Sequence, residues 1–546
     1  MKKQLKIALA QMNSTVGDIE GNVAKAVQLW KQAKGADIVV FPELAITGYP
    51  AEDLVQKPAF QKQAMKAARA LAATTSKGPA ILIGSLLVEE GKIFNAVYLL
   101  HGGVVLHTQT KHELPNYGVF DEKRHFSAGI LPSLFSFKGF KLGILVCEDM
   151  WHKAVPQALK GADILLSCHA SPFEHDKPAR RLKAAQKAVE RANCSLVYAN
   201  MVAGQDDVVF DGGSFVMSAK GKVLGTAPQF EETLALSTWE KTTKGLKCVS
   251  APKAKPLGET AQHYAAMMLG LKDYITKNGF PGVVLGLSGG IDSVLSAAIA
   301  VDALGADKVK AIMLPSRYTS DESFADAAEC ARRLGISLEE IQIEGLVSAA
   351  DEALAGAFAG KKKDVTEENI QSRLRGLLLM AYSNKFGHMV LTTGNKSELA
   401  TGYATLYGDM CGGYNVLKDT YKTEVFALSK WRNKNAPTGA LGPKGEVIPP
   451  NAIRKAPTAE LRENQKDEDS LPPYDVLDGI LQALIEKELS IKDIVALGYK
   501  RAVVEKVASM LYKAEYKRRQ SAPGVKVTRK SFGRDRRYPI TNRFTE

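Results

Sequence analysis

The sequence contains no apolar run approaching the roughly 18 residues that a membrane-crossing helix requires, so no bilayer span and no membrane partner are expected. Its six cysteines, Cys147, Cys168, Cys194, Cys248, Cys330 and Cys411, form no C-x-x-C pair and lie scattered through 546 residues. That spacing excludes a disulfide scaffold and a zinc site, and no haem is expected. The opening MKKQLKIALAQMN lacks a long apolar core and a small-residue cleavage site, so it reads as a first strand and the protein as cytoplasmic. No internal repeat is visible. What is present is a globular balance, 45% hydrophobic and 24% charged, in a chain too long for one ordinary core. Two or more domains follow.

The net charge of +13 is uneven. From Lys513 to Glu546 there are eleven Lys/Arg and three Asp/Glu. Such a tail suits phosphates or RNA, or is simply solvated, and charge alone leaves both open.

From Lys6 to Leu236, β-rich runs such as ADIVVFPE, KLGILVCED and CSLVYANM alternate with amphipathic stretches such as RRLKAAQKAVERA. This rhythm predicts an α/β layered domain over residues 1–245. Residues 246–260 carry Lys, Pro and Gly with little periodicity and read as a linker. A second α/β series fills 261–546, where PGVVLGL, KVKAIMLPS and HMVLTTGN alternate with helical patterns. A doubly wound parallel sheet is expected there. The Pro- and Gly-rich stretch 433–473 reads as a loop over a site or as an insertion.

The second half carries GLSGGIDS, residues Gly286, Leu287, Ser288, Gly289, Gly290, Ile291, Asp292 and Ser293, between an apolar strand and a helix. A helix N-terminus offers unpaired N–H groups to an anion, and the two glycines let the backbone come close. Walker A chemistry needs a lysine that is missing. The loop instead resembles the SGGxDS loop of the ATP pyrophosphatase family, which implies cleavage of ATP between its α- and β-phosphates. Asp292 would then help hold Mg2+, a hard cation that prefers oxygen ligands.

The segments EENIQSRLR, LTTGNKSEL and GYATLYGDMCGGYNVLKDTYKTEVF extend this likeness to the synthetase domain of the NAD+ synthetases. The resemblance implies that Thr393 binds ATP, that Asn369, Glu398 and Lys517 contact deamido-NAD, and that Glu398 shares Mg2+ with Asp292. Asp409 and Lys418 are expected as further contacts. An adenine nucleotide alpha-hydrolase-like fold is implied for this half.

Three signals stand apart in the first half: Glu43 in VVFPELAITGYP, Lys111 in TKHELPNYGVFDEKRHF and Cys147 in LGILVCEDMW. Each lies at or beyond a strand-like run, so all three can meet at one sheet edge. Their context resembles the Glu-Lys-Cys triad of the nitrilase (carbon-nitrogen hydrolase) superfamily, which implies an α-β-β-α sandwich. A free thiol is mostly protonated at neutral pH, so Cys147 needs a base such as Glu43, and Lys111 would steady the oxyanion. Glu122 is a carboxylate able to orient the lysine. The resemblance implies that Tyr117, Ser171 and Lys177 bind glutamine. Cys147 is internal, which excludes an N-terminal nucleophile amidotransferase. Val146 and Glu148 flank it where a Cys-His-Glu amidotransferase has glycine.

Together the two halves resemble the glutamine-dependent NAD+ synthetases. The expected substrates are deamido-NAD+, ATP and L-glutamine, with Mg2+, no nucleic acid partner, a homo-oligomer and a closed path for ammonia between the sites. A different carboxylate amide ligase and a tRNA-modifying pyrophosphatase are the competing readings.

Overall fold

The computed structural model describes residues 3–243 and 245–544. Met1, Lys2, Lys244, Thr545 and Glu546, which fall in the expected first strand, the end of the first expected domain and the tail, lie outside them. The chain forms two compact units that divide between Gly258 and Glu259.

The first unit contains two stacked sheets. One has seven strands in the order Gly245–Ser250, Thr233–Thr242, Gln4–Gln11, Ile38–Val40, Ala80–Glu89, Lys92–His101 and Val104–Thr110. The other has six, in the order Val223–Thr226, Phe215–Met217, Ser195–Asn200, Ile164–His169, Phe140–Val146 and Phe135–Phe137. Side chains alternate across a strand, and the sequence uses both faces. Ile7 and Leu9 join Ile144, Val146, Leu166 and Val197 in the core between the sheets. Ala8 and Ala10 point the other way, into a core shared with the helices Ile19–Gln32 and Pro58–Thr74. Leu145, Leu165 and Leu196 pack on the helix Lys177–Ala192. A one-residue slip in any of these strands would exchange the two faces, so the register is strongly specified. The result is the expected α-β-β-α sandwich.

The helix Lys177–Ala192 shows how sequence selects the element. Ala184, Ala185, Ala188, Val189 and Ala192 recur at helical spacing and are buried. It ends at Asn193, whose left-handed φ of 53° closes the last turn.

The stretch expected as a linker begins otherwise. Gly245–Ser250 is an edge strand paired antiparallel with Thr233–Thr242. Lys253 bridges to Thr226, and the Leu257 N–H donates to Gln229. The reason is alternation: Leu246 and Cys248 pack onto the core between the sheets.

The second unit is built on five parallel strands in the order Leu338–Glu340, Val309–Met313, Val283–Gly286, Met389–Thr392 and Tyr414–Asn415. The order reverses between the third and fourth, and that switch point opens a crevice at the carboxyl ends of the strands. The helix Ile291–Leu304 (IDSVLSAAIAVDAL) is buried on nearly every side, as its apolar residues all round the axis require, and its buried Asp302 is paired with Arg432 and Tyr264. The basic tail folds into this unit. Arg518 donates to the carbonyls of Leu399 and Ala400, Lys526 pairs with Asp535, and Arg536 pairs with Glu515. A solvated tail is thereby excluded for these residues. Among the described residues no helix is long and apolar enough to cross a membrane.

Candidate active sites

In the first unit, Glu43, Lys111 and Cys147 each follow the carboxyl end of a strand. Glu43 lies just beyond Ile38–Val40. A Cβ at Gly84 would stand 2.1 Å from the Leu44 nitrogen, so only glycine admits the Glu43–Leu44 turn. Lys111 follows Val104–Thr110 directly. Cys147 leaves Phe140–Val146 at a left-handed φ of 46° and opens a single turn, Cys147–Met150. That conformation is uncommon for a residue with a Cβ and marks a held, strained elbow.

Glu43 and Lys111 are fully buried, and Cys147 and Glu122 nearly so. The Lys111 ammonium donates to Glu43 Oε1 at 2.6 Å and to Glu122 Oε1 at 2.8 Å. Asn95 Nδ2 donates to Glu43 Oε1 at 2.7 Å, and the Ala170 N–H donates to Glu43 Oε2 at 3.1 Å. The Tyr49 hydroxyl donates to Glu122 Oε1 at 2.8 Å. Burial alone would lower the Lys111 pKa, but Glu122 and Glu43 outweigh it and hold the ammonium protonated well above the ordinary lysine range. Burial, reinforced by Glu43, pushes the Cys147 thiol well up despite Lys111. Burial also raises Glu122, with Lys111 pulling the other way and Glu43 adding to the rise. The resting arrangement is therefore a neutral thiol beside a protonated lysine bridging two carboxyl groups.

The residues expected to bind glutamine surround this cluster. Tyr117 is half-exposed, and its hydroxyl donates to Glu148 at 3.1 Å. Lys177 opens its helix, buried, with its ammonium 5.2 Å from the Trp151 ring centre. Burial lowers its pKa against the pull of Glu174. Ser171 is buried, and its N–H donates to Asn200 Oδ1 at 2.9 Å.

In the second unit a cleft of about 560 Å3 opens at the switch point. All of Gly286 to Ser293 line it, with Thr393, Asn369, Glu398, Asp409 and Lys517. Lys418 is buried and lies off its wall. Gly289 has a φ of 81°, and a Cβ there would meet the Ser323 carbonyl oxygen at 2.4 Å. Ser293 Oγ donates to the Gly290 carbonyl at 2.9 Å and accepts the Ser288 N–H at 3.2 Å, which curls the loop onto the helix start.

Asp292 Oδ1 accepts from Asn395 Nδ2 at 2.9 Å, and its other oxygen pairs with the buried Lys422 ammonium. Lys422 also reaches Glu398 at 3.4 Å. Glu398 caps its helix together with Asn395. Burial, opposed by Lys422 and reinforced by Asp292 and Asp467, pushes Glu398 up to about 8. The Lys422 ammonium thus stands between the carboxyl groups of Asp292 and Glu398, the two oxygen-donor residues expected to hold a hard cation. Lys517 donates to the carbonyls of Gly402 at 2.7 Å and Ala404 at 2.6 Å, so its position is fixed by backbone. Part of the stretch 433–473 forms a wall of this cleft: Lys455, Glu460 and Asp467 line it. Glu460 accepts from the hydroxyls of Ser320 and Ser323, both at 2.8 Å, and from Lys455 at 3.0 Å.

Sequence reasoning missed several neighbours of these groups. Asn95 sits inside FNAVYLL, where one polar residue in a strand looks like ordinary alternation. Asp149, two residues behind Cys147, and Lys422, in a quoted segment, both stand within the motifs but carried no assigned role. Arg375, which burial lowers to about 10, lines the cleft and donates to the Leu314 carbonyl at 2.8 Å. Its one advance signal was a second arginine in EENIQSRLR.

Comparison with known proteins agrees with this division. The carbon-nitrogen hydrolase family matches residues 6–243, and the NAD synthase family matches residues 263–521. A glutamine-dependent NAD(+) synthetase from Rhodobacter capsulatus is 50% identical over 550 residues, covering 100% of both chains. The structure of a glutamine-dependent NAD+ synthetase from Acinetobacter baumannii in complex with ADP superposes with a TM-score of 0.79 at 44% identity, covering 99% of each chain. One from Cytophaga hutchinsonii, at 23% identity, shares the fold with a TM-score of 0.82, covering 99% of this chain and 98% of that one. A carbon-nitrogen hydrolase unit followed by an NAD synthase unit, matched over full length at this identity, places the chain in the glutamine-dependent NAD(+) synthetase family.

Proposed function

We propose that the chain is an ATP-dependent ligase that amidates deamido-NAD+ to NAD+, with glutamine as nitrogen donor. The observation that carries this reading is the presence, in one chain, of a buried Glu43–Lys111–Glu122 cluster beside Cys147 and a nucleotide-sized cleft floored by the Gly286–Ser293 loop.

In the first unit, Glu43 takes the Cys147 thiol proton as sulfur attacks the glutamine carboxamide carbon. The protonated Lys111 stabilises the oxyanion. Collapse breaks the C–N bond, the proton returns to nitrogen, and ammonia leaves a glutamyl thioester. Water activated by Glu43 hydrolyses the thioester and regenerates the thiol. Tyr117, Ser171 and Lys177 hold the amino-acid end of glutamine, and Glu122 orients Lys111.

In the second unit, a nicotinate carboxylate is a poor acyl donor because its leaving group would be oxide. Its oxygen attacks the α-phosphorus of ATP, the α–β anhydride breaks, and pyrophosphate departs into the loop amides of Gly289 and Gly290 at the helix start. Thr393 contacts ATP. Asn369, Glu398 and Lys517 hold deamido-NAD, and Asp409 lines the same cleft as a further contact. Asp292 and Glu398 would hold Mg2+, which when bound supplies positive charge against the pyrophosphate oxygens. Ammonia attacks the acyl carbon, and AMP leaves. Bulk water would protonate free ammonia, so a closed path between the sites belongs to this reading, as do a homo-oligomer and a cytoplasmic setting.

The test is a product assay on purified protein with deamido-NAD+, Mg-ATP and glutamine. NAD+, glutamate, AMP and pyrophosphate in equal amounts are expected. ADP and phosphate in place of AMP and pyrophosphate would refute the adenylation route, and no NAD+ would refute the substrate.

A further inference from the structure

Asp149 has no part in the chemistry above, yet it is completely buried and ties together the two chain segments that carry Lys111 and Cys147. Its Oδ1 accepts the N–H groups of His112 at 3.1 Å and Glu113 at 2.9 Å. Its Oδ2 accepts the N–H of Val146 at 3.1 Å. Two of those amides immediately follow Lys111, and the third immediately precedes Cys147. Among the described residues no lysine, arginine or histidine side chain makes a hydrogen bond or ion pair with this carboxylate.

We propose that Asp149 is a positioning residue for amide cleavage, clamping the Lys111 turn to the Cys147 elbow so that the ammonium stands where the oxyanion forms. The proposal rests on Cys147 being the nucleophile. Lys111 is otherwise fixed from the far side: its N–H donates to the Asn95 carbonyl at 2.8 Å, and its carbonyl accepts from Gly129 at 2.7 Å. Its ammonium is held by Glu43 and Glu122. None of these contacts reaches the elbow, whose φ of 46° at Cys147 is a strained conformation that its surroundings must hold. Asp149, within the turn Cys147–Met150, caps it through Val146 and ties it to the Lys111 segment through His112 and Glu113.

The chemistry of the clamp requires a carboxylate. Three N–H donors need acceptor capacity on both oxygens. Asparagine presents one acceptor and one NH2 group, so at least one amide faces a donor and loses its partner. The link between the two segments then opens at one end. A displacement on the order of 1 Å in reacting geometry costs about 100-fold in rate.

The experiment compares full-length wild type, Asp149→Asn and Cys147→Ala, each driven by glutamine or by ammonium, with the rate of Cys147 alkylation by iodoacetamide as an independent readout. The ratio of glutamine-driven to ammonium-driven kcat in Asp149→Asn is expected to fall about 100-fold. The KM for glutamine should stay within about threefold, because the binding residues are untouched, and alkylation should slow with kcat. An unchanged ratio overturns the proposal, and so does a change confined to KM. Should Asp149→Asn fail to fold, Asp149→Glu keeps the charge at the wrong length: a lowered ratio supports the clamp, and a wild-type ratio overturns it. Glutamine-driven activity surviving in Cys147→Ala would show that the nucleophile reading fails, separately from any role of Asp149.

Discussion

The two units handle their reacting groups in opposite ways. In the first, Glu43, Lys111 and Cys147 are sealed in the protein, drawn from the ends of three strands, with Glu43 and Lys111 locked by hydrogen bonds between side chains. In the second, the corresponding residues line an open cleft of about 560 Å3, and much of the floor is one glycine-bearing loop at a helix start. The difference follows from the ligands. A carboxamide is small and unreactive, so its site needs exclusion of water and groups set in advance. A dinucleotide and ATP are large and charged, so their site needs room, backbone N–H groups and places for a cation. Chemical precision is concentrated in the first site and electrostatic capacity in the second.

If that contrast holds, perturbations of the first site should affect only the glutamine-driven reaction, and perturbations of the second should affect both nitrogen sources. The largest effect is expected from Cys147→Ala. Loss of a covalent nucleophile should reduce glutamine-driven NAD+ formation by about 10⁴-fold or more, with the ammonium-driven rate unchanged in a steady-state assay. Next comes Asp292→Asn, which removes half of the acidic pair around Lys422. Both reactions should fall by about 100-fold and need more Mg2+, as a metal titration would record. Loss confined to one nitrogen source would break the comparison.

A smaller effect, and a pH signature, is expected at Glu122. Burial and Glu43 raise its pKa over the opposing pull of Lys111, so it takes up a proton at higher pH than an ordinary glutamate as the solution is acidified. Lys111 then loses one of its two carboxylate partners. Glutamine-driven kcat should fall on the acid side with a midpoint above the usual carboxylate range, and Glu122→Gln should remove that limb at a cost of about tenfold in rate. A limb that survives in Glu122→Gln assigns it to another group. The smallest effect is expected for Gly289→Ala. A Cβ 2.4 Å from the Ser323 carbonyl, at a φ of 81°, should strain the loop by about 1–3 kcal/mol. Calorimetry should show a lowered unfolding temperature, together with a raised KM for ATP.

The sequence made the chemistry-bearing positions easier to see than what supports them. Glu43, Lys111 and Cys147 stand out because a charged or nucleophilic residue ends an apolar run, and GLSGGIDS because its glycines sit between a strand and a helix. The α/β layering of the first unit and the parallel second sheet were legible for a similar reason, since periodicity is a local property, whereas the α-β-β-α sandwich was implied only by the family resemblance. Supporting contacts are not local. Asn95 meets Glu43 across 52 residues, and Lys422 meets Asp292 across 130. Only strand pairing and topology bring them together. The edge strand Gly245–Ser250 was hidden because lysine and proline masked the alternation of Leu246 and Cys248. Charge alone left the role of the basic tail open because some of its acceptors, the Leu399 and Ala400 carbonyls, lie more than a hundred residues from Arg518.

The most direct test of two sites serving one reaction is a nitrogen trace. Wild-type protein would turn over deamido-NAD+ and Mg-ATP with glutamine labelled by 15N in its amide, in the presence of unlabelled ammonium, and the carboxamide of the NAD+ formed would be analysed by mass spectrometry. The account predicts 15N in the carboxamide, with one glutamate, one AMP and one pyrophosphate for each NAD+. Unlabelled NAD+ beside free 15N-ammonium would contradict it, because the nitrogen released at Cys147 would not be the nitrogen used at the cleft.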